Sequence, residues 1–479
     1  MTDDLEKKFQ ATLADTNLQT AVSSATSRFI EKRKTEVAPE VLPEFQELRN
    51  QAHEMKRQVL DNLDYYLVQF ENNVVDNGGR VIWCEDGADV AGFLAKLAEE
   101  KRAKLIVKSK SMTTEEIELN EHLEKKGLEI VETDLGEFIV QLAHSRPYHI
   151  VAPALNFTRY DVADLFSRTL GSPHETEPEK QAKIARAVLR EKFLSADIGV
   201  TGANFLVADS GAIVIATNEG NGRMCTTLPK VHVAIAGIEK IIPRAQDLPV
   251  FLKLLGRSAT GQQLTVYTSF LSGPRREGEI DGPEEFYVVL LDSGRSRVLA
   301  DKDKRQSLYC LRCGACLNHC PVYQRIGGHN YPWVYSGPIG AVIGPQFRGL
   351  NRDSWLPFAS SLCGACAEVC PVKIELPKLL LELRNEISEL KLHQAGNRGE
   401  RFGFRIWAWM MRHPKVYEAI GKFAAWLFRE SMPGKWVSDV PAVMNIGPVR
   451  QWLNGRDIPP FPERSFRKIW RERVTGRNQ

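Results

Sequence analysis

The strongest constraint on this 479-residue chain is a run of four cysteines ending in proline, Cys310-Leu-Arg-Cys313-Gly-Ala-Cys316-Leu-Asn-His-Cys320-Pro321. Its spacing, C-x2-C-x2-C-x3-C-P, is typical of bacterial ferredoxins that hold a cubane iron–sulfur cluster. The two-residue gaps allow one tight turn to direct three thiolates at three corners of the same cube. The proline removes a backbone donor and helps the chain turn away from the site.

A second run repeats this pattern fifty residues further on, with serine in place of its first cysteine: Ser360-Ser-Leu-Cys363-Gly-Ala-Cys366-Ala-Glu-Val-Cys370-Pro371. Where two such runs occur in one protein, the fourth cysteine of each binds the cluster of the other run. This crossing predicts one complete set of ligands, Cys310, Cys313, Cys316 and Cys370. It predicts a second set of three thiolates, Cys320, Cys363 and Cys366, whose fourth corner falls on Ser360.

The sequence therefore predicts two iron–sulfur clusters, and the serine leaves the composition of the second one open. The first is expected to be a [4Fe-4S] cluster. The second is either a [3Fe-4S] cluster or a [4Fe-4S] cluster whose fourth iron takes Ser360, water or a group from a partner, because a serine oxygen is a harder ligand than iron prefers. Zinc is the alternative metal, but it takes four ligands and would leave these runs over-supplied.

Composition and charge indicate where the protein works. No apolar stretch approaches the roughly 20 residues of a membrane span, and no nucleic-acid-binding motif appears, so we expect no nucleic-acid partner. The N-terminus, Met-Thr-Asp-Asp-Leu-Glu-Lys-Lys, has no apolar signal-peptide core. We therefore expect a cytoplasmic protein with reduced thiols, in which the isolated Cys84 is a small core residue.

The C-terminal region, residues 397–479, differs from the rest of the chain. Residues 398–479 contain 16 Lys and Arg against 7 Asp and Glu, and six of the nine tryptophans. Aromatic side chains lie among these basic residues at Phe402, Trp407, Trp409, Trp426 and Phe428. This composition suits peripheral contact with a membrane or with an acidic partner. The alternative is that the region packs over the cysteine domain and leaves its charges solvated.

Strands and helices alternate between residues 80 and 153, which predicts an α/β domain with a parallel sheet. The expected strands are 80–84, 104–107, 129–132 and 149–153, and the expected helices are 88–101, 113–126 and 135–144. Thr113-Thr-Glu-Glu116 predicts a capping box at the start of the second helix. Further on, apolar strands at 204–208 and 212–216 flank Asp209-Ser-Gly211, which predicts a hairpin.

Two polar segments of the α/β domain are candidate binding sites for an anionic ligand such as a small carboxylate. One is the loop 218–223, where glycines let backbone N–H groups approach a ligand and an arginine can pair with a carboxylate. The other is the turn 108–111 at a strand end. Ordinary surface loops are the alternative for both. The candidate substrate-binding residues are Lys108, Lys110, Asn218, Glu219, Asn221 and Arg223, and no catalytic residue is assigned.

The chain is expected to divide into four parts. Residues 1–75 read as a helical extension and residues 76–298 as the α/β domain. Residues 299–396 read as a two-cluster ferredoxin-type domain, and residues 397–479 as the basic C-terminal region. Because 42 residues separate Cys320 from Cys363, the cysteine domain is too long for a compact hairpin ferredoxin, and helices are expected around its clusters.

These features together resemble the lactate utilization protein B family of iron–sulfur proteins. The resemblance rests on residues 201–224, on Val231-His-Val-Ala-Ile-Ala-Gly-Ile-Glu-Lys240, on the first cysteine run and on Ser360-Ser-Leu-Cys363. The family has Ser-Ser-Leu-Cys at this point, which implies that the serine is a built-in feature. The implied fold class is α/β, with a parallel-sheet domain like those of sugar-phosphate isomerases and CoA transferases joined to an α-helical ferredoxin-like domain.

The resemblance also implies that the protein carries electrons in the oxidation of L-lactate to pyruvate, together with two sister lactate-utilization subunits. No G-x-G-x-x-G fingerprint occurs between a strand and a helix, so hydride transfer is expected on a partner. We therefore expect an electron-transfer subunit rather than a stand-alone catalyst. Two alternatives stay open: a hydroxy-acid-binding enzyme that uses an open iron as Lewis acid, and a ligand-binding regulator whose clusters sense redox state.

Overall fold

The computed structural model describes residues 3–392, 398–431, 436, 456–457, 459 and 464–475. The chain forms two compact units, Met1–Ser388 and Glu389–Gln479. In the described part of the chain, no helix has both the length and the apolar character needed to cross a membrane.

The first unit contains two β-sheets. Their strands are β1 Arg80–Cys84, β2 Leu105–Lys108, β3 Glu129–Glu132, β4 Ile198–Gly202, β5 Phe205–Val207, β6 Ala212–Thr217, β7 Val231–Gly237, β8 Ile241–Ile242, β9 Tyr267–Leu271 and β10 Glu285–Leu291. The larger sheet has six parallel strands in the order β1-β10-β7-β4-β2-β3. The predicted α/β class with a parallel sheet is thus confirmed. Its strand β7 is buried along its whole length, as expected of a central parallel strand.

The smaller sheet is mixed and has the order β8-β5-β6-β9. Strands β5 and β6 form the expected antiparallel hairpin, while β5 and β8 are parallel. The hairpin turn contains Gly211, whose φ is +66°. A Cβ atom at this position would lie 2.5 Å from the backbone of Asn73 in the helix that packs against the turn. Glycine is therefore required here both for its backbone conformation and for close packing.

Helices make up most of the remainder. They are α1 Asp3–Ala14, α2 Thr16–Glu36, α3 Phe45–Asp61, α4 Leu63–Asp76, α5 Gly87–Lys101, α6 Met112–Glu116, α7 Leu119–Glu124, α8 Leu135–Leu142, α9 Arg159–Leu170, α10 Pro178–Ser195, α11 Asn221–Thr227, α12 Leu248–Thr260, α13 Arg295–Ala300, α14 Ala315–Asn318, α15 Pro321–Ile326, α16 Gly337–Arg348, α17 Ala365–Glu368, α18 Leu376–Leu392, α19 Arg398–Arg412, α20 Pro414–Ser431 and α21 Phe466–Thr475. The helices α14 to α18 surround the cysteine motifs, as expected.

One large hydrophobic core joins the parts of the first unit. It includes Leu60 and Phe70 of the N-terminal helices, Ile213 of the mixed sheet, and Leu317 and Leu380 of the cysteine segment. A second core fills one face of the parallel sheet between the strands and α5 and α7. The N-terminal helices, the α/β part and the cysteine segment are therefore packed against one another within a single unit.

Two local expectations are wrong. The helix expected at 113–126 is two short helices, α6 and α7, separated by Glu118 at φ +52°. Ser111, and not Thr113, is the N-cap, because its hydroxyl accepts the N–H of Thr114 at 3.3 Å. The carboxylate of Glu116 binds Arg295 instead of closing a capping box.

The strand expected at 149–153 is an irregular loop. The Nδ1 atom of His149 accepts the N–H groups of Val151 and Ala152 at 3.1 and 3.2 Å. These local bonds use the donors that a strand would offer to a neighbour, and Pro153 has no donor to offer. The segment therefore turns back on itself at the edge of the cysteine region.

Candidate metal centre and adjoining cavity

The two cysteine motifs have the same backbone conformation. In each motif, the residue two positions before the glycine adopts a left-handed conformation, at Arg312 with φ +59° and at Leu362 with φ +54°. The glycines do the same, at Gly314 with φ +75° and Gly364 with φ +88°, and each begins a short helix. The repeat seen in the sequence is therefore a structural repeat.

Ser360 occupies the position in the second motif that Cys310 has in the first. The backbone N–H of Arg312 donates to Sγ of Cys310 at 3.4 Å. The N–H of Leu362 donates to Oγ of Ser360 at 3.1 Å, across the same two-residue separation. The serine hydroxyl thus stands where the repeat places a thiol.

Thiols of the two motifs lie close enough to influence one another's ionisation. Burial raises the pKa of Cys313 to about 12, and repulsion from Cys310 and Cys370 adds to the shift. Burial likewise raises the pKa of Cys366 to about 12, with added repulsion from Cys320 and Cys363. Cys370 therefore lies with the first set and Cys320 with the second.

The two sets are also close to each other. Burial raises the pKa of Cys316 well above its usual value, and members of both sets, including Cys366 and Cys370, add to this shift by repulsion. The assignment of individual cysteines to irons stays a prediction.

The residues present fit iron–sulfur cubes. All seven thiols of the motifs are free, and Cys313, Cys320, Cys366 and Cys370 are buried. Buried thiols ionise only when a metal compensates their charge, so the site favours a bound cation over free thiolate. Besides the bond from Arg312 to Cys310, backbone N–H groups donate from Tyr323 to Sγ of Cys320 at 3.4 Å and from Ile374 to Sγ of Cys370 at 3.3 Å. Such hydrogen bonds are among the means by which a protein adjusts cluster potential.

Two arginines of the N-terminal helices hold the second motif, and the sequence analysis missed them. Arg49 on α3 donates to the carbonyl oxygens of Cys370 at 2.9 Å, Glu368 at 2.8 Å and Ala367 at 3.3 Å. Arg33 on α2 donates to the carbonyl oxygen of Val369 at 3.2 Å. Both side chains are buried, and together they bind the C-terminal end of α17 and the residues that follow it.

The first motif is held by the loop after α8. His149 accepts two N–H groups at Nδ1, so its proton is on Nε2, which donates to Oδ1 of Asn318 at 3.1 Å. Burial lowers the pKa of His149 to about 3, and the ring is therefore neutral at pH 7. The hydroxyl of Tyr323 donates to the carbonyl oxygen of Tyr148 at 3.0 Å.

A cavity of about 510 Å³ lies between the α/β part and the first cysteine motif. Its walls combine Phe29 from α2, the turn at Ser109–Lys110–Ser111, the loop after β6, and Arg312 and Cys313 of the cysteine run. Polar groups at the ends of parallel strands and a cysteine motif thus face the same space. This is where α/β folds commonly bind ligands.

Four of the six candidate substrate-binding residues line this cavity: Lys110, Asn218, Glu219 and Asn221. Burial, reinforced by repulsion from Asp134, raises the pKa of Glu219 to about 7.

The other two candidates point elsewhere. Lys108 is fully buried and binds Glu132 at 2.6 Å and Glu115 at 2.7 Å, so its ammonium group is neutralised within the protein. Arg223 is exposed on α11, whose helical turn directs it away from the cavity.

Two further cations line the cavity without having been expected from the sequence. Arg312 lies between the first two cysteines of the run, and Lys240 follows β7. Burial lowers the pKa of Lys240 to about 8, although Glu239 opposes the shift. Only the position of Arg312 inside the cysteine run marked it in the sequence.

A parallel α/β sheet joined to two cysteine motifs of ferredoxin spacing defines an iron–sulfur protein of the two-cluster type. Three family models match the chain in succession: the LUD domain at residues 67–291, the 4Fe-4S dicluster domain at 306–374, and the lactate utilisation protein B C-terminal region at 383–475. The chain is 44% identical to lactate utilization protein B of Bacillus licheniformis, over 95% of this chain and 93% of that one. It is 42% identical to the protein of the same name from Bacillus subtilis, over 99% and 97%.

The chain belongs to the lactate utilization protein B family. Its dicluster domain implies two iron–sulfur clusters, and its family implies a role in lactate utilization. Among solved structures, a DUF162 family protein from Deinococcus radiodurans matches 48% of this chain and 98% of its own, with 13% identity and a TM-score of 0.28. A likeness this weak carries no argument about function.

Proposed function

We propose that this protein carries electrons in the oxidation of L-lactate to pyruvate, acting with sister subunits that perform the dehydrogenation. The observation that carries the proposal is the pair of cysteine motifs with mutually interacting thiols, next to a polar cavity within one compact unit. Lactate oxidation releases two electrons, and a bound cubane cluster accepts one electron at a time. Two adjacent clusters therefore suit this two-electron reaction.

We also propose the finer division of the fold. The α/β part is expected to be related to sugar-phosphate isomerases and CoA transferases, and the cysteine part to be an α-helical ferredoxin-like domain. The six-stranded parallel sheet supports the first relation, and α14 to α18 around the motifs support the second. The four-part division of the chain likewise stays a proposal.

The residues of this chain prepare the site for added negative charge. Arg33 and Arg49 interact electrostatically with Cys370, and Lys56, Lys240 and Arg312 interact with Cys310. Buried positive charge of this kind favours the reduced, more negative state of a neighbouring redox centre. Hydrogen bonds from backbone N–H groups to the sulfurs also favour the reduced state.

The alternative is a hydroxy-acid-binding enzyme in which the open iron of the second set acts as Lewis acid. The cavity favours the electron-transfer proposal, because the residue of the cysteine sets that lines it is Cys313, which belongs to the complete first set. A substrate in this cavity would lie beside a fully ligated cluster, where electron transfer and not ligation of iron is the available chemistry.

An anaerobic preparation tests the proposal. We expect iron and sulfide for two clusters, and reversible one-electron reductions seen by electron paramagnetic resonance. With the sister subunits present, lactate should reduce the clusters, and without them it should not. The variant Cys313→Ala should abolish lactate-dependent electron transfer, whereas Cys84→Ala, at a buried cysteine outside the motifs, should retain it. Unchanged lactate oxidation by the assembly containing Cys313→Ala would contradict the proposal.

A further inference from the structure

Arg312 is a buried arginine whose hydrogen-bonding groups lack acceptors. Its side chain is 6% exposed, and within the described residues none of its three guanidinium nitrogens has a hydrogen-bond partner. It stacks over the ring of Tyr335 at 4.5 Å, and its closest carboxylate oxygen, Oε1 of Glu239, is 3.8 Å away. A buried guanidinium without acceptors is costly, so a missing acceptor is expected beside it.

Glu239 does not supply that acceptor, because its free oxygen, Oε1, lies 3.8 Å from Nη2 of Arg312, beyond hydrogen-bonding distance. Its Oε2 atom pairs with Nε of Arg295, which also forms a two-pronged pair with Glu116 at 2.8 and 2.9 Å. The hydroxyl of Tyr335 donates to Glu116 at 2.9 Å and helps to hold this network in place.

Positive charge exceeds negative charge around this network. The buried basic side chains are Arg295, Arg312, Lys240 and Lys56, and the carboxylates that face them are those of Glu116 and Glu239. Burial lowers the pKa of Lys56 to about 7, so this group carries only part of a charge at neutral pH, while Lys240, with a pKa of about 8, stays mostly charged. Thiolates of the first cysteine set balance part of the excess. They offer no oxygen atoms in the plane of the guanidinium group, however, and a carboxylate offers two.

Both surplus cations face the cavity. Arg312 and Lys240 line it beside Cys313, while Asn218, Asn221 and Glu219 line it from the loop region after β6. One part of the wall is thus suited to a carboxylate and another to a hydroxyl or carbonyl oxygen. A 2-hydroxy or 2-oxo acid carries both groups on neighbouring carbons.

We propose that this cavity binds a small 2-hydroxy or 2-oxo carboxylate whose carboxylate group lies on Arg312 and Lys240, next to the first cysteine set. The inference rests on the proposed function and adds to it the place where the organic acid lies relative to the redox centre. Arg312 is then a binding residue located within the cysteine run itself.

Binding at this place has a thermodynamic consequence. A bound anion repels an electron added beside it, so the acid binds more weakly to reduced protein than to oxidised protein. By linkage, the bound acid lowers the reduction potential of the first cluster, and the size of this shift is set by the ratio of the two affinities. A tenfold difference in affinity corresponds to about 59 mV for a one-electron couple.

The test uses pyruvate as probe on the full-length, cluster-loaded protein under anaerobic conditions. Calorimetry should show pyruvate binding to the oxidised protein and at least tenfold weaker binding to Arg312→Gln. Arg312→Lys should fall between them, because it keeps the charge and loses the planar pair of donors. The control Arg325→Gln removes an exposed arginine of the same domain and should bind like wild type. Lactamide, a neutral analogue, should bind poorly to all of them.

Iron and sulfide content show whether each variant keeps both clusters. If Arg312→Gln loses a cluster, Lys240→Met provides the test, because it removes a cavity cation outside the cysteine run. Equal pyruvate binding by wild type and the cluster-loaded variants would overturn the inference. So would a changed potential with unchanged binding, since these cations would then act on the cluster alone.

The two proposals fail in different ways. Absence of pyruvate binding, with lactate still reducing the clusters through the sister subunits, would overturn this site and leave electron transfer standing. Pyruvate binding that depends on Arg312, with clusters that never accept electrons from lactate, would overturn the proposed function and leave the site standing.

Discussion

Ser360 is the residue at which the two cysteine motifs differ. Its hydroxyl accepts the N–H of Leu362 just as Sγ of Cys310 accepts the N–H of Arg312. The two motifs therefore follow the same backbone path at this position and differ in the side-chain group, a hydroxyl in place of a thiol. A thiol introduced here would occupy the position that Cys310 has in the first motif.

We predict that Ser360→Cys makes the second cluster more resistant to air. A fourth thiolate occupies the corner that serine leaves to a poorer ligand, so iron is lost more slowly, by several-fold. Iron content and cluster absorbance followed during exposure to air measure the effect.

The matched control is Ser361→Cys, which places a thiol one residue out of register at an exposed position. Equal protection by both variants would show that the added thiol acts without occupying the fourth corner.

For Arg312 and Lys108, residue type and position in the sequence did not predict which groups surround the side chain. The place of Arg312 between two cysteines was visible in the sequence, but the lack of acceptors within hydrogen-bonding distance of its guanidinium group depends on how the buried side chains around it pack. Lys108 is the converse case. It belonged to the expected anion site, and three acidic side chains that come together only in the folded chain neutralise it instead.

At the level of elements, helix α3 serves the cysteine segment although more than 300 residues separate them in the sequence. Arg49 of α3 donates to three carbonyl groups at the end of α17 and just after it, those of Ala367, Glu368 and Cys370. Nδ1 of His53, one helical turn further on, lies 2.9 Å from the carbonyl oxygen of Val372. The helix thus fixes the stretch that carries the crossed ligand Cys370.

We predict that Arg49→Gln loosens this stretch. Each buried carbonyl that loses its donor costs about 1–3 kcal/mol, so the local structure opens more often and iron escapes faster. The rate of iron release to a chelator under anaerobic conditions should rise at least several-fold.

Arg57→Gln on the same helix is the control for this experiment. Arg57 is exposed and pairs with Glu54 and Asp61 on the surface, so its loss should leave the rate of iron release unchanged. A similar rate in both variants would argue that Arg49 has no special role at the cluster.

The periodicity of apolar residues predicted most strands of the parallel sheet. The prediction of a helix failed where a side chain binds a residue far away in the sequence. β1 and β10 each consist of one charged residue followed by an apolar run, at 81–84 and 286–291. The expected helix 113–126 is interrupted just after Glu116, whose carboxylate binds Arg295 and Tyr335 and whose carbonyl oxygen accepts the indole N–H of Trp333. Periodicity reports which face of an element is apolar, and it contains no information about such long-range polar partners.

At the scale of the whole molecule, charge is distributed unequally along the chain. The net charge is +3, although residues 398–479 contain 16 basic against 7 acidic residues. In α19, arginines recur on one face at Arg401, Arg405 and Arg412, and exposed aromatic side chains include Trp407 and Trp409. The side chain of Phe428, also named from the sequence, lies outside the described residues.

We predict that this C-terminal region attaches the protein to anionic membrane surfaces. Basic amphipathic helices with exposed tryptophan bind such surfaces by combined electrostatic and apolar contact. The full-length protein should co-sediment with vesicles containing an anionic lipid, and a chain ending at residue 397 should not.

Binding should weaken at high salt, because screening reduces the electrostatic contribution. Neutral vesicles are the control and should retain little protein. Equal sedimentation of the full-length and shortened chains would remove the membrane proposal and favour contact with an acidic partner or with the rest of the chain.

The residues of this chain, read in order, already specify two iron–sulfur sites, a parallel α/β sheet and a family, because cysteine spacing and apolar periodicity are local properties. The cavity beside Cys313, in contrast, depends on tertiary packing. Its walls come from Phe29, Lys110, Asn218, Lys240 and Arg312, which lie far apart in the sequence. Which of these side chains face one another, and which charges remain without partners, depends on how distant segments pack, and only the folded chain settles that.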